Sequence, residues 1–256
     1  MHPVLAELPT PWGPLPLQAH GACLALALVA GWYLFVGPPH AVPRARRGRL
    51  YLALALGALA GGALLAAAAT GAPLFAAGFH APGALLGAAF ALWVAGGDDR
   101  PALARHTAPL APLLTAGAAL GAWLHGAGFG VRFGGPPWVE ALGTYPRWPD
   151  GTGAPAWRAH LEAGWIDADA THSLPTHPVA LYELALAAAV FVLVWRRPRH
   201  AAPLALTLLA LGRLALDPFR AEVGPMAWAA TATLLLLGLA LALRRQRPSA
   251  ANPDLA

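Results

Sequence analysis

Long apolar runs occupy most of this chain, and they restrict it to folds in which whole helices are surrounded by apolar material. Seven runs are long enough, or nearly long enough, to cross a bilayer, which takes about 20 residues. They lie at about 17–37, 50–70, 80–97, 108–126, 178–195, 202–217 and 225–243. Only 11% of the 256 residues are charged, whereas a soluble domain carries about 25%. The sequence therefore predicts an all-α polytopic membrane protein with seven transmembrane helices.

The arginines set the expected orientation of these helices. The chain has 17 arginines, no lysine and a net charge of +5. Most of the arginines lie in alternate loops, as the positive-inside rule requires of cytoplasmic loops. These twelve are Arg44, Arg46, Arg47, Arg49, Arg100, Arg105, Arg196, Arg197, Arg199, Arg244, Arg245 and Arg247. The pattern predicts an outside N-terminus and a cytoplasmic C-terminus. Because no isolated basic domain gathers this charge, the sequence argues against nucleic-acid binding.

The remaining polar sequence is expected to form a cap and a tail. A single transmembrane domain takes in residues 1–247, including an outer cap at about 128–177 that is rich in Gly, Pro and Trp. Such a composition is typical of a compact looped region, with short strands or one helix around 154–163. Residues 248–256 are expected to be disordered. The single cysteine, Cys23, excludes an intramolecular disulfide and a multi-cysteine metal site.

Two segments place ionisable side chains at the outer ends of apolar runs. Thr176–Glu183 contains His177 and Tyr182, and its last residue, Glu183, needs a partner to stay ionised at low dielectric. His80 begins the third run. Ionisable groups at membrane depth usually mark a working site. The structural alternatives are an interfacial histidine for His80 and a Glu–Arg pair that locks two helices for Glu183.

A third segment carries arginines that the orientation rule does not explain. Arg213 and Asp217 lie four residues apart and share a helix face. Pro218 disfavours helix at the residue before it, so Arg220 is expected in an outer loop. A guanidinium group is well shaped for phosphate, and a phospholipid headgroup supplies one. The structural alternative is an ion pair of Arg213 with Asp217 or Glu183.

A fourth segment, Gly121–Phe133, ends the fourth run and contains His125 and Arg132. Glycine-rich backbone near an arginine can cradle an anion, although glycine clusters also serve close packing. All four segments fall at the expected outer side of the membrane. Because unrelated structural pairs would not gather on one side, their convergence favours a functional site there.

Together, these segments resemble the prolipoprotein diacylglyceryl transferase family over nearly the whole chain. Pro11–Gly21 is similar to the start of that family before its first helix, and Phe79-His80 to its Phe-His-Gly-Gly segment, which holds an essential histidine. His177-Pro178-x-x-Leu181-Tyr182-Glu183 is similar to the His-Pro-x-Gln-Leu-Tyr-Glu box. Gly212-Arg213 with Asp217 and Arg220 keeps the spacing of the family's Arg-x-x-x-Glu-x-x-Arg segment. The cap, from Pro137-Trp138 to His177, also resembles one branch of the family.

The sequence departs from the family pattern at several positions. The arginine of the family's Gly-Arg-x-Gly segment has no counterpart, because the matching stretch reads Gly121-Ala122-Trp123. The box glutamine is Ala180, and the acidic residue after Arg213 is Asp217 rather than Glu. The tyrosine before the first helix's glycine is His20. These departures leave open a divergent enzyme or a catalytically inactive homologue.

The resemblance implies the transfer of a diacylglyceryl group from phosphatidylglycerol to the lipobox cysteine of prolipoproteins, in the bacterial inner membrane, with the active site facing the periplasm. It gives a catalytic set of His80 as base or orienter, Arg213 as phosphate ligand and Glu183 as its orienter. The implied substrate-binding residues are Arg132, His177, Tyr182, Asp217, Arg220, His20 and His125. The implied partners are phosphatidylglycerol and prolipoprotein signal peptides, with no cofactor and no metal.

Three other functions compete with this one. A catalytically inactive homologue would bind phospholipid or signal peptides without transfer. A small-solute transporter is disfavoured because the sequence shows no inverted repeat. A histidine metal site using His80, His125, His172 or His177 is disfavoured because the spacing matches no ligand motif.

Overall fold

The structure is a computed structural model of the chain. It describes residues 4–10, 13–38, 42–74, 79–148, 151–221 and 224–246. Parts of the predicted features lie outside the described residues: Pro11 and Trp12 of the opening segment, Arg247 and the tail at 248–256.

The described residues are mostly helical. Short 3₁₀ turns are found at Gly97–Asp99, Pro198–His200 and Asp217–Phe219. The helices are α1 Ala19–Val36, α2 Arg44–Thr70, α3 Ala81–Ala95, α4 Arg100–Thr107, α5 Leu110–His125, α6 Pro137–Leu142, α7 Pro155–Glu162, α8 Val179–Arg196, α9 Ala201–Leu216 and α10 Pro225–Gln246.

Among the described residues, six helical stretches are long and apolar enough to cross a membrane. They are Ala19–Val36, Arg44–Thr70, Ala102–His125, Val179–Arg196, Pro198–Phe219 and Pro225–Leu243. One of them takes in most of α4 together with α5, and another takes in α9 with the 3₁₀ turns on either side of it. The run expected at 80–97 forms α3, which has 15 residues and so rises about 22 Å, less than the roughly 30 Å hydrocarbon core of a bilayer. A multi-pass membrane protein is therefore supported with six candidate spans, and the seventh is a shorter apolar helix.

An antiparallel hairpin precedes α1 and was not expected from the sequence. Its strands are β1, Val4–Thr10, and β2, Gly13–Gln18, paired so that Leu8 faces Leu15 and Thr10 faces Gly13. Three prolines at positions 9, 14 and 16 argue against a strand in the interior of a sheet. They are compatible with a two-stranded ribbon because each strand there has a free edge. The last strand residue, Gln18, leads directly into α1.

Contacts divide the chain into two compact units, each built from separate stretches of sequence. The first contains Met1–Ala41, Leu113–Ala188 and Gly212–Gly224. The second contains Val42–Pro112, Ala189–Leu211 and Pro225–Ala256.

In the first unit, two glycines let α5 pack closely on α1. A Cβ atom on Gly117 would stand 2.6 Å from Ala27 Cβ and 3.0 Å from Cys23 O. A Cβ atom on Gly121, one turn later, would stand 2.7 Å from His20 Cα. Small residues four apart allow such backbone approach between membrane helices. The α5–α1 contact therefore fixes His20 beside the last turns of α5.

The segment between α5 and α8 has its own small core. Tyr145, Ala154, Ala156 and Trp157 are buried together, and Trp148 packs against them. α7 covers the place at 154–163 where one helix was expected. Isolated backbone bridges join Gly130 with Arg220, Arg132 with Thr176, and Pro146 with His172. The segment is thus a folded element tied to both α8 and the end of α9.

In the second unit, α2 and α3 meet through facing glycines. A Cβ on Gly57 would stand 2.6 Å from Gly87 O, and a Cβ on Gly83 would stand 2.5 Å from Gly61 O. His80, the residue before α3, donates its backbone N–H to Gly62 O at 3.1 Å. The glycine contact therefore fixes the backbone of His80 against α2.

Candidate functional site

Four charged side chains meet where α8 begins and α9 ends. Arg213 donates from Nη1 to Glu183 Oε1 at 3.0 Å, and Arg220 donates from Nη2 to the same oxygen. Arg220 Nε lies 3.2 Å from Asp217 Oδ1. Glu183 thereby holds two guanidinium groups against each other. The predicted partner of Glu183 is present, and the ion pair of Arg213 is with Glu183.

Local sequence explains why these groups meet. Pro218 lacks a backbone N–H and cannot continue a helix, and α9 ends at Leu216. The following 3₁₀ turn closes with Arg220 N–H donating to Asp217 O at 3.1 Å. Gly212 brings α9 close to α8, because a Cβ there would overlap the side chain of Leu186. Arg220 therefore lies outside the helix, as the position of Pro218 predicts.

The cluster is largely shielded from water. The exposed fractions of the side chains are 18% for Arg213, 17% for Glu183, 11% for Arg220 and 3% for Asp217. Ions with so little hydration need opposite charges nearby, and removing one partner leaves the others uncompensated. Two guanidinium groups and two carboxylates give a net charge of zero when all four are ionised. The cluster is thus a neutral group of ions in a poorly hydrated place.

A short extended segment, Gly130–Phe133, runs between the backbone of His177, which precedes α8, and the backbone of Phe219, in the turn after α9. On one side, Gly130 N–H donates to His177 O at 2.9 Å and His177 N–H donates to Val131 O at 3.0 Å. On the other side, Val131 N–H donates to Phe219 O at 2.9 Å. This three-segment ladder fixes His177 and Arg220 relative to one backbone.

Aromatic rings surround His177 next to the ionic cluster. The centre of its ring lies 4.4 Å from that of Phe133 and 4.9 Å from that of Phe219. His177 Nδ1 and Tyr182 Oη lie 3.4 Å apart, within hydrogen-bond distance. Burial lowers the pKa of His177 below its ordinary value because a charged imidazolium is poorly hydrated there. Since Tyr182 and Phe219 directly precede Glu183 and Arg220, this ring cluster borders the ions.

Arg132 lies opposite Thr176 in an isolated backbone bridge, but its side chain points away from the ionic cluster. Its guanidinium carbon lies 5.5 Å from the ring centre of Trp165, a cation–π distance. The side chain of Arg132 is exposed, and its charge also lowers the pKa of the buried His160. Arg132 therefore belongs to the surface of the segment between α5 and α8 in this structure.

His20 and His125 form a separate group in the first unit. They are close enough for an electrostatic interaction, and the ring of His125 lies 5.3 Å from that of Trp148. Three buried polar atoms, His125 Nδ1, Tyr145 Oη and Trp148 Nε1, have no hydrogen-bond partner among the described residues. Burial raises the pKa of Tyr145 to about 12. Sequence reasoning proposed the two histidines but missed Tyr145 and Trp148.

His80 belongs to the second unit and is half-buried. Both backbone polar groups of His80 are hydrogen-bonded: its N–H donates to Gly62 O, and its carbonyl accepts from Ala84 N–H at 3.0 Å. It directly precedes α3, as predicted, and Pro82 stands in the first turn of that helix. Among the residues that the structure describes, no group of three His, Cys, Asp or Glu side chains is arranged to hold a metal ion.

Phe133, Phe219 and the backbone ladder are the parts of this site that sequence reasoning did not find. Phe133 and Phe219 were not proposed, although each lies within one residue of a proposed arginine. No protein-family model matches the chain, and no curated protein matches it significantly.

Proposed function

We propose that this protein transfers a diacylglyceryl group from phosphatidylglycerol to the lipobox cysteine thiol of prolipoproteins, forming a thioether. The observation that carries the proposal is the pair of guanidinium groups, Arg213 and Arg220, gathered by Glu183 at the ends of two apolar helices. Arginines are costly in apolar membrane segments, and a planar guanidinium suits phosphate oxygens. The resemblance of the His177–Glu183 and Gly212–Arg220 segments to the transferase family supplies the reaction.

The proposed reaction needs cations where a leaving group gains charge. The cysteine thiol loses its proton to a base, because the thiolate is the competent nucleophile. The sulfur then bonds to the carbon of the diacylglyceryl unit that is esterified to phosphate, and the bond from that carbon to the phosphate-ester oxygen breaks. The electron pair leaves with glycerol phosphate, whose phosphate goes from one negative charge toward two. Donors that bind this developing charge more strongly than the ground state lower the barrier.

Each residue has a proposed role. Arg213 and Arg220 bind the phosphate, while Glu183 and Asp217 hold the arginines in place. His177 and Tyr182 shape the headgroup pocket, and the resemblance gives His80 the role of base or of orienter of the base. His20, His125 and Arg132 are proposed as further substrate contacts, of which Arg132 requires a different direction of its side chain to reach a phosphate near Glu183.

The proposed setting is the bacterial inner membrane. The N-terminus is outside, α3 acts as a seventh, short span, and the segment at about 128–177 forms the periplasmic cap. The distribution of arginine between alternate loops supports this orientation. Prolipoprotein signal peptides and phosphatidylglycerol are the proposed partners.

One observation favours a second candidate, an inactive homologue that binds phospholipid or signal peptides. Ala122 stands at the place of a family arginine, and the guanidinium of Arg132 lies over Trp165. A phosphate in such a protein would meet fewer cations than in the family, which would reduce the stabilisation of the leaving group.

The deciding experiment combines the detergent-purified protein with phosphatidylglycerol and a peptide that contains a lipobox cysteine. Mass spectrometry then detects the diacylglyceryl adduct. We expect an adduct in the wild type and none with His80→Ala or Arg213→Ala, while Arg197→Ala, an exposed arginine in neither segment, retains activity. Folded wild-type protein that binds the lipid but yields no adduct would favour the inactive homologue. Full transfer by both site variants would contradict the assigned roles.

A further inference from the structure

In the ionic cluster, one terminal guanidinium nitrogen of each arginine already donates to a carboxylate, which matters if the cluster binds phosphate. Arg213 Nη1 and Arg220 Nη2 both donate to Glu183 Oε1. These are terminal guanidinium nitrogens, the atoms that approach phosphate oxygens in bidentate recognition. Asp217 instead lies against Nε of Arg220, at the base of its guanidinium group. The oxygen that holds the two arginines together therefore stands where an anionic oxygen of a ligand would bind.

We propose that Glu183 is a resident anion that phosphate displaces, so that this carboxylate sets both the affinity and the charge requirement of the lipid site. The inference rests on the proposed function, since it assigns a regulating role to one residue of that same phosphate site. A phosphate oxygen takes the place of Glu183 Oε1 between the two guanidinium groups. The carboxylate turns aside and remains close by.

Charge balance explains why the exchange is selective. The four groups sum to zero when ionised, so the cluster exerts little net attraction on a distant anion. A neutral lipid cannot replace Glu183, because it would leave two poorly hydrated guanidinium groups with a single carboxylate. An anionic phosphate restores the balance at the arginines and then gains charge as the leaving group forms. The site thus admits a ligand only if its own charge replaces that of Glu183.

This role differs from a purely orienting one in its effect on binding. If Glu183 only oriented the arginines, Glu183→Gln would misplace them and weaken lipid binding. If Glu183 competes with phosphate, the same change removes the competitor and adds one net positive charge, so binding becomes tighter. Since charge-assisted hydrogen bonds are stronger than neutral ones, we expect Kd for phosphatidylglycerol to fall by about tenfold.

The test measures binding of phosphatidylglycerol in mixed detergent micelles to the full-length protein, by titration of intrinsic tryptophan fluorescence or by calorimetry. Glu183→Gln should bind more tightly than the wild type. Asp217→Asn adds the same net charge but leaves Glu183 between the arginines, so its affinity should rise much less. Glu162→Gln, an exposed glutamate on α7, should leave Kd unchanged. Weaker binding by Glu183→Gln, or an equal gain with Asp217→Asn, overturns the exchange.

A second variant covers the case in which Glu183→Gln does not fold. Glu183→Asp keeps the charge but is one methylene shorter, so it cannot bridge both guanidinium groups equally well. Its affinity for phosphatidylglycerol should rise by a smaller factor, roughly two- to fivefold, for a partly weakened charge-assisted bond. An unchanged or reduced affinity in a folded Glu183→Asp protein would contradict the proposal.

One further ligand, free glycerol phosphate, identifies the source of the phosphate, and the same titrations separate this inference from the transferase proposal. If free glycerol phosphate gains affinity in Glu183→Gln as much as the lipid does, the exchange site recognises the phosphate ester alone. If only phosphatidylglycerol gains, the acylated lipid is the ligand. Either result supports exchange, whereas no gain for any phosphate-bearing ligand opposes it. Because binding requires no transfer, a wild type without adduct formation would refute the transferase and leave exchange to be decided by these titrations.

Discussion

Gly130 contacts Phe219 so closely that no side chain fits between them. A Cβ atom on Gly130 would overlap the carbonyl oxygen of Phe219 and would stand 2.7 Å from the Cβ of His177. The same residue donates its N–H to His177 O. One glycine thus joins the segment that ends in Glu183 to the turn that carries Arg220.

Gly130→Ala should therefore push the turn that carries Arg220 away from the segment that contains His177 and Glu183. Overpacking at a close contact costs about 1–3 kcal/mol, and here the strain falls on the ladder that positions His177 and Arg220. We expect a lower midpoint of thermal unfolding in detergent and weaker binding of phosphatidylglycerol. Gly134→Ala is the matched control, because a Cβ there meets nothing within 4 Å. Equal midpoints and affinities for the two variants would refute this role of Gly130.

Replacing Arg213 should affect both stability and activity. Removing one member of a buried group of ions costs about 3–5 kcal/mol, because Glu183 is then left with Arg220 alone. Loss of one donor to developing negative charge typically costs about 10²–10³ in turnover. Arg213→Lys keeps the charge but not the planar guanidinium, so its activity should fall between those of Arg213→Ala and the wild type.

Adduct formation and thermal unfolding, measured side by side, check the prediction for Arg213. Arg197→Ala, at the other end of α8, should match the wild type in both. If Arg213→Ala were as stable as the wild type and as active, the ionic cluster would have neither role.

Sequence reasoning located the ionic cluster but not its geometry. The apolar run after Pro178 predicts that Glu183 needs a partner, and Arg213 was one of the candidates. That Arg220 shares the same oxygen of Glu183 follows from the 3₁₀ turn after Leu216. A proline predicts the end of a helix, but it does not fix the direction in which the chain continues. Two residues in the same short segment can therefore be proposed from sequence without their mutual arrangement being known.

Long-range contacts account for the other differences. The direction of the Arg132 side chain depends on Trp165, far along the chain, so its spacing from nearby glycines could not reveal it. The hairpin at Val4–Gln18 forms despite three prolines because a two-stranded ribbon has no interior strand. Apolar length predicted six candidate spans well, since helix length and composition are local properties. It overestimated the helical length of the run that forms α3.

The glycine contact between α2 and α3 leads to a third prediction. A Cβ on Gly61 would stand 2.9 Å from the Cα of Gly87, so a branched side chain there must push the two helices apart. Gly61→Val should lower the unfolding midpoint, with a cost of about 1–3 kcal/mol for overpacking. It should also speed hydrogen exchange at the His80 N–H, which donates to the neighbouring Gly62.

A glycine of α1 provides the control for this contact. A Cβ on Gly21 would meet nothing within 4 Å, so Gly21→Ala should be neutral or stabilising by up to about 1 kcal/mol, the difference in helix propensity. Unchanged exchange at His80 in a folded Gly61→Val protein would show that the glycine contact does not hold this residue.

Tyr145 leads to a prediction at alkaline pH. Its side chain is 0% exposed, and burial raises its pKa from 10 to about 12. The unfolded chain therefore loses this proton first, and the stabilisation present below pH 10 is lost as pH rises toward 12. Tyr145→Phe should remove that loss. It should cost little at neutral pH, because the hydroxyl has no partner among the described residues. Parallel unfolding midpoints for the two proteins between pH 9 and 11 would contradict it.

His160 should make the segment between α5 and α8 sensitive to acid. It is 2% exposed, and its Nδ1 accepts the N–H of Leu174 at 3.1 Å, so this nitrogen carries no proton. Burial, and secondarily the positive charge of Arg132, lower the pKa of His160 below 6.5. The unfolded chain then binds the proton first, so stability is complete above pH 6.5 and falls as pH drops through that value.

The contribution of His160 is measured by difference, because His177 is shifted in the same direction. A Gln side-chain oxygen can accept from Leu174 but does not titrate. The stability advantage of the wild type over His160→Gln should therefore shrink between pH 7.5 and pH 5, when thermal unfolding is followed in detergent. His172→Gln, at an exposed histidine, controls for the loss of a histidine as such. A constant difference between the wild type and His160→Gln across this range would mean that His160 has the same pKa in the folded and unfolded chains, which would contradict the lowered pKa expected from its burial.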